Sequence, residues 1–379
     1  CVEKGIHFLY QASLTFFMCH KKSNSFESIP WNNARCISSP PHFMQSPAWG
    51  RFKSTTGWKT EFLDAPASKL GRRQALLLSK KIPASDRRMY YLPRGPGIAP
   101  QSSDRLVIFL NRLKKHVIAN QGIFLRVDPY IEEDQAIANN FVAEGFKGLK
   151  KKWSFWNAPT FVFWLDLPDN ADQLFARFNT KLRTKIRYPH KHGVRFFQGN
   201  SHELEHFSAL MAETAHHKGI GVHGRAYYQS LYASLQTSDM VRLFFAKHEG
   251  RYISTAMAVK YGCVAWLLYF ASSRKHAALR PNHALVWEML QWAIANGCTR
   301  FDFRGTATDD PPDPKNSGYG VYQFKKSFGP RFVRTIGYFD YVVHPLLYRM
   351  FRVAEDYCIP GLFECFAQGR KLKSHLFTR

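Results

Sequence analysis

The stretch VAWLLYFASSRKHAALRPNHALVWEMLQWAIANGCTRFDF, residues 264–303, decides the fold. Val264 to Ala271 reads as a strand, and Ser272 to Arg280 is a polar loop. Pro281 suits the first helical position, and the helix runs to about Asn296 with Leu285, Met289, Trp292 and Ala293 on its inner face. Asn296-Gly297 ends it, and Arg300 to Phe303 is the next strand. The same grammar occurs about 175 residues earlier. There Met89–Leu92 is a strand, 93–99 a loop, and about Ser102–Asn120 a helix with Leu106, Phe109, Leu110, Leu113 and Val117 inward; Gln121-Gly122 is the stop and Ile123–Val127 the closing strand. A strand–loop–helix–Gly–strand plan used twice predicts two similar α/β units.

Outward from these repeats, strands are expected at Trp58–Leu63, Gln74–Lys80, Asp239–Lys247 and Arg251–Lys260. Ser46-Pro47 predicts a helix start that places Trp49 and Lys53 one turn apart on one face. Asp128-Pro129 stops a strand, and a helix follows over about Glu132–Glu144. Between the repeats, Leu174, Phe178, Leu182 and Ile186 recur every four residues, while Arg177, Lys181, Arg183, Lys185 and Arg187 occupy the other faces until Pro189 breaks the helix. No acidic residue lies between Gln173 and Gln198 to pair with these cations, which favours an external anion over a solvated face. Near the C-terminus, GYGVYQFKKSFGPRFVRTIGYFDYVVHP (318–345) sets Lys325 and Lys326 among aromatics and then gives Phe332–Val343 as one strand. On pattern alone that segment is an edge strand guarded by lysines, or a cleft element presenting a cation.

The 379 residues suffice for two domains, and 53 Lys+Arg against 28 Asp+Glu give a formal charge of +25. Such an excess points to an anionic partner: nucleic acid, a phosphate-bearing substrate or an acidic membrane surface. The seven cysteines form no C-x-x-C pair and suit free thiols in a reducing cytosol; no metal-ligand spacing stands out. No apolar run reaches the ~18–20 residues of a membrane span, and Gly5–Cys19 lacks the basic start and cleavage site of a signal peptide. Residues 1–35 are set aside as an extension of uncertain structure. Arg94-Gly95-Pro96-Gly97-Ile98-Ala99 fits the R-x-x-G-x-A loop with which acetyltransferases of the GNAT fold cradle a pyrophosphate, although Pro96 removes one donor.

Seven pieces, in this order and spacing, carry a resemblance to a known family: QSPAWGRFK (45–53), YLPRGPG (91–97), IFLRVDPYI (123–131), KLRTKIRYPHKHGV (181–194), HGRAYYQSLY (223–232), residues 267–305, and residues 318–351. The chain resembles the FemABX family of peptidoglycan-bridge aminoacyltransferases over residues 40 to 355. The resemblance implies an α/β fold of two GNAT-like domains in tandem, with mixed sheets flanked by helices and a substrate channel between them. The first would span 36–157 plus a return of the chain over 330–379, and the second 158–329. It implies transfer of an amino acid from aminoacyl-tRNA to the side-chain amine of a stem peptide in a peptidoglycan precursor, either UDP-MurNAc-peptide or lipid II. No cofactor or metal is implied, and the setting is cytoplasmic with peripheral contact at the inner face of the plasma membrane. About 20 residues join the segment Tyr227–Leu235 to the strand at Ile253, which leaves no room for the coiled-coil arm of longer members.

By the same resemblance, Lys325 takes the catalytic-site lysine position and Phe324 lines the channel. Lys53 and Arg225 match a diphosphate-binding pair. On its own chemistry, Asp128 either takes or holds the acceptor amine's proton or is a strand-end residue capping the helix after Pro129. Tyr228 and Tyr269 are candidates to line the peptide channel. The chain departs from the family pattern at Asp128, where Glu is common, at Arg304, where a small residue is common, at Pro189, and in the proline- and acid-rich loop Thr306–Asn316. Two other readings compete. One is a coenzyme A-dependent N-acyltransferase using the Arg94–Ala99 loop. The other is a basic RNA- or membrane-surface-binding protein on an inactive GNAT scaffold, with Leu362, Phe363, Phe366, Arg370, Lys371 and Lys373 touching anionic lipid.

Overall fold

A computed structural model describes residues 42–68, 71–82, 85–96, 103–149, 159–305, 313–315 and 318–355. The extension 1–35, the second half of the Arg94–Ala99 loop, most of the Thr306–Asn316 loop, and the C-terminal tail lie outside the described residues. The chain forms two compact units, residues 1–150 with 336–345, and residues 151–335 with 346–379.

In the first unit, Ser46 Oγ accepts the N–H of Trp49 and caps helix α1 (Pro47–Thr55), whose first residue is the proline expected there. Strands β1 (Lys59–Ser68), β2 (Gly71–Lys81) and β3 (Arg88–Leu92) follow, then helix α2 (Ser103–Ala119), β4 (Gly122–Val127), helix α3 (Gln135–Ala143) and β5 (Lys147–Leu149). The sheet order is β1-β2-β3-β4-β13-β5, where β13 (Tyr338–Val342) comes from the far end of the chain. Only β3 and β4 pair in parallel, as the α2 crossover between them requires. Leu106, Phe109, Leu110, Leu113 and Val117 are all buried on the sheet. A Cβ at Gly122 would meet Val117 Cγ1 at 2.3 Å and Val117 O at 2.7 Å, so the α2–β4 turn demands glycine.

The second unit holds β6 (Phe161–Asp166), helices α4 (Ala171–Arg177) and α5 (Thr180–Lys191), and β7 (Arg195–Gly199). Helices α6 (Leu204–Lys218) and α7 (Arg225–Gln236) precede β8 (Val241–His248), β9 (Arg251–Tyr261) and β10 (Val264–Ser272). Helix α8 (Pro281–Ala295), β11 (Arg300–Gly305), helix α9 (Tyr319–Lys326) and β12 (Arg331–Arg334) complete it. A last helix, α10 (Pro345–Val353), follows β13. The sheet order is β12-β6-β11-β10-β9-β8-β7, and again the one parallel pair, β10–β11, flanks the crossover helix. The repeat read from sequence therefore builds the parallel step of each sheet.

Five expectations are corrected. The lysine pair 325/326 lies on helix α9 rather than on a strand, so the two residues diverge by helical rotation: Lys325 is buried and Lys326 exposed. Phe332–Val343 is two strands in two sheets. Thr335 N–H donates to Thr160 O, Ile336 N–H donates to Ile131 O, and Gly337 turns at φ +87° between them. The return to the first unit therefore begins at Ile336 instead of 330 and ends at Pro345. The apolar stripe is shared by two helices, because Asn179 Oδ1 accepts the N–H of Leu182 and starts α5 afresh. Pro189 does not break α5, which runs on to Lys191: proline has no N–H to donate to the preceding turn, but it stands close to the C-terminal end of the helix and is itself buried. Of the two cysteines in described segments, Cys298 is a buried free thiol and Cys263 is disulfide-bonded, which overturns the free-thiol expectation for the latter.

Candidate functional site

In the second unit the chemistry gathers around the end of β11. Lys325 is 7% exposed, and its ammonium donates to Gly305 O at 2.7 Å and to Arg304 O at 3.4 Å. Those carbonyls are fixed by the local backbone. Arg304 adopts φ +59°, with its N–H donated to Asp302 Oδ1. Asp302 is buried and its other oxygen accepts Trp164 Nε1 at 3.2 Å. At Gly305 any side chain is excluded, since a Cβ would lie 2.0 Å from Pro159 Cβ and 2.7 Å from Phe161 O. Burial pushes the Lys325 ammonium down to about 7; Asp302 works against this and the Arg304 charge adds to it. An ammonium carries three N–H bonds. With two aimed at carbonyls, Lys325 retains one for an incoming oxygen.

An aromatic group in the same unit feels the Arg304 charge that also bears on this lysine. Tyr228 is buried and packs edge-on to Tyr269 at 5.2 Å and to Tyr227 at 5.8 Å. Tyr227 stacks on His223 at 3.6 Å and shares a hydrogen bond with Tyr269. Burial raises all three phenols, while the nearby Arg304 charge lowers Tyr227 and Tyr269. Phe324, half-buried on α9, packs against Phe270 at 5.9 Å, His283 at 4.9 Å and Phe328 at 5.6 Å. Lys325, Phe324, Tyr228 and Tyr269 are thus brought into one unit. Arg304, Tyr227, Asp302 and Gly305 join them, and sequence reasoning had assigned none of these four a role. The FDFRG segment (301–305) was the available signal, and Arg304 had registered only as a departure. Arg225 opens α7, exposed, in a surface ion pair with Glu205 at 3.4 Å that adds little stability and leaves the arginine open to an anion.

In the first unit, Lys53 sits in a box of rings. Its Nζ lies 5.6 Å from Trp49, 5.8 Å from Phe52 and 5.5 Å from Trp58. Lys80 approaches the same Trp58 ring at 5.7 Å. Burial, then the Lys80 charge, lower the Lys53 ammonium to about 8 although the side chain as a whole is half-exposed. Two cations on one indole are held together against their own repulsion, which an anion of two or more charges would relieve.

Asp128 is 1% exposed. One oxygen accepts Arg94 N–H at 2.6 Å, and the other accepts Tyr91 OH at 3.0 Å and faces Arg94 Nε at 3.7 Å. Burial raises its carboxyl to about 6 despite Arg94. To take a substrate proton it would first have to release one of these partners. The helix after Pro129 is capped by Asp134, whose Oδ1 accepts Ile137 N–H, so Asp128 is not a helix cap either. Arg94, 5% exposed, is turned inward onto Asp128 and Tyr130.

The sequence pattern of the FemAB family matches residues 37–249 and 237–356. The chain belongs to the FemAB family. It is 25% identical to a lipid II:glycine glycyltransferase of Staphylococcus haemolyticus, over 81% of this chain and 89% of that protein. It is 24% identical to the enzyme of the same name from Staphylococcus aureus, over 83% and 91%. The crystal structure of FemX superimposes with a TM-score of 0.74 at 24% identity, covering 83% of this chain and 96% of that one. The fold is accordingly α/β with two GNAT-like domains in tandem. Among the described residues no helix is long and apolar enough to cross a membrane.

Proposed function

We propose that this FemAB protein is an aminoacyltransferase that moves an amino acid from aminoacyl-tRNA to the side-chain amine of the stem peptide in a peptidoglycan precursor. The relatives named lipid II:glycine glycyltransferase, matched along four-fifths of the chain, support a lipid II-type acceptor and action at the inner face of the plasma membrane. The observation that carries the reading is the buried Lys325, held by two carbonyls with one N–H to spare.

The acceptor amine attacks the ester carbonyl of the donor, forming a C–N bond and a tetrahedral oxyanion. The free Lys325 N–H meets that oxygen in a setting where a cation acts more strongly than in water. The C–O bond to the ribose then breaks, and the amine's proton leaves with the ribose oxygen or to solvent. Phe324, Tyr228 and Tyr269 line the path of the peptide. Lys53, with Lys80 beside it, binds an anionic group of the precursor, and so does the exposed Arg225. Asp128 serves by fixing Tyr91 and Arg94, and no protein base is assigned. The test is transfer by purified protein with charged tRNA and lipid II. Lys325→Met should cut the rate by about 10²–10³-fold, the usual cost of one oxyanion donor. An unchanged rate removes Lys325 from the mechanism. Transfer from an acyl-coenzyme A with none from charged tRNA overturns the donor.

A further inference from the structure

Helix α5 carries a line of cations that the reaction above does not use. Leu182, Ile186 and Pro189 fix its buried face, and α5 packs on α8. Lys181, Lys185, Tyr188 and His192 stand at i, i+4, i+7 and i+11, one flank of the helix. Among the described residues neither lysine has a carboxylate partner. Arg280, exposed at the entrance to α8, lies over the Tyr188 ring at 5.3 Å, and Tyr188 stacks on His192 at 3.9 Å. The flank thus alternates point charges with a stacked aromatic platform, the combination that holds a nucleic-acid strand by its phosphates and bases.

The flank also points somewhere. The Lys185 charge bears on His283, which lies one turn into α8 and packs on Phe324, the neighbour of Lys325. His283 Nε2 is buried without a hydrogen-bond partner. A lipid surface fits less well: the helix keeps its apolar residues in the core, so nothing on this flank would enter an acyl layer.

We propose that the flank Lys181–Lys185–Tyr188 with Arg280 is the docking track for the RNA of the aminoacyl donor, leading its 3′ end past His283 to Lys325. This rests on the donor reading given above. Phosphates meet Lys181, Lys185 and Arg280, and an unpaired base extends the Tyr188–His192 stack.

The probe is an uncharged RNA minihelix with a single-stranded 3′ end, titrated into the full-length protein by fluorescence anisotropy at several salt concentrations. The triple variant Lys181→Gln/Lys185→Gln/Arg280→Gln should bind at least about 10-fold more weakly, and its log K against log [salt] slope should be shallower by about 2. Tyr188→Ala should weaken binding with the slope unchanged. A control removing equal charge elsewhere, Lys115→Gln/Lys218→Gln/Arg251→Gln, should leave affinity within about twofold. Equal losses in the triple variant and the control overturn the track, as does an unaltered slope in the triple variant. Loss of binding to vesicles of anionic phospholipid with RNA binding intact would make the flank a membrane surface and also overturn it. If wild type ignores RNA altogether, the donor reading fails; if wild type binds and the triple variant binds equally, only the track fails.

Discussion

Replacing Lys325 by methionine, which has similar length and no charge, should make the protein more stable while slowing the reaction about 10²–10³-fold. The lysine titrates at 10.5 when exposed and at about 7 in the fold, chiefly because burial disfavours the charge. Between those values the unfolded chain holds a proton that the folded one lacks, so stability rises with pH across that window. Below pH 7 both states are protonated and the full penalty is present. A separation of about 3.5 corresponds to about 5 kcal/mol. Methionine removes that penalty but leaves Gly305 O and Arg304 O without their donor, at a cost of about 1–3 kcal/mol. The net expectation is a gain of about 2–4 kcal/mol at pH 6, shrinking to nothing or reversing by pH 10. Urea denaturation of both proteins at pH 6, 7.5 and 9 measures it. A variant less stable at pH 6, or a difference constant with pH, would refute the view that Lys325 is a destabilising buried cation. The catalytic counterpart is a wild-type kcat/KM that falls as pH rises through about 7, a limb absent in Lys325→Met.

Three further outcomes follow from other parts of the molecule. Arg126 and Asp340 pair with two 2.8 Å bonds, both fully buried, between β4 and β13; Asp340→Ala should cost about 3–5 kcal/mol by denaturation, and Arg126→Met/Asp340→Leu should recover most of it. Gly305→Ala forces a Cβ into Pro159 and the Phe161 carbonyl, so thermal unfolding should show a loss of at least about 1–3 kcal/mol, with transfer falling further than stability because the Lys325 acceptor moves. Lys53→Met should raise KM for the precursor at least about 10-fold, with kcat changed less than about threefold, since two cations share one ring and the site binds without reacting.

The sequence was readable where one rule acted alone. The paired strand–helix–strand units were plain because apolar spacing, proline starts and glycine stops all agreed, and each produced the single parallel step in its sheet. The Ser46-Pro47 start correctly predicted Lys53 one turn from Trp49, but Trp58 folds back from the turn after α1 and Lys80 reaches the same ring from β2, a strand distant in sequence that no local pattern records. The 332–343 segment failed for a different reason: its β-branched and aromatic run satisfies strand propensity throughout, and only the competing partners Thr160 and Ile131 cut it in two. Lys325 was singled out by the family resemblance of the Phe324-Lys325 pair, while its burial comes from the 3.6-residue turn of α9, which no strand reading of the segment could supply.

Arg304 shows how the fold and the chemistry become one constraint. A non-glycine residue at φ +59° costs energy that the surroundings must supply, and here Asp302 does so by taking the Arg304 N–H. The strained turn is what aims two successive carbonyls at one ammonium. The side chain that follows from that backbone brings a second positive charge beside Lys325 and the phenols of Tyr227 and Tyr269. A small residue would relieve the strain but also the charge, and Lys325 would then regain protons at higher pH. Arg304→Gly therefore separates the two roles: the carbonyls keep their aim, the neighbouring charge is gone, and the downward pH limb of kcat/KM should move to higher pH with its amplitude intact. A limb that stays in place would mean that burial alone sets the Lys325 proton affinity, and that Arg304 matters only for the shape of the turn.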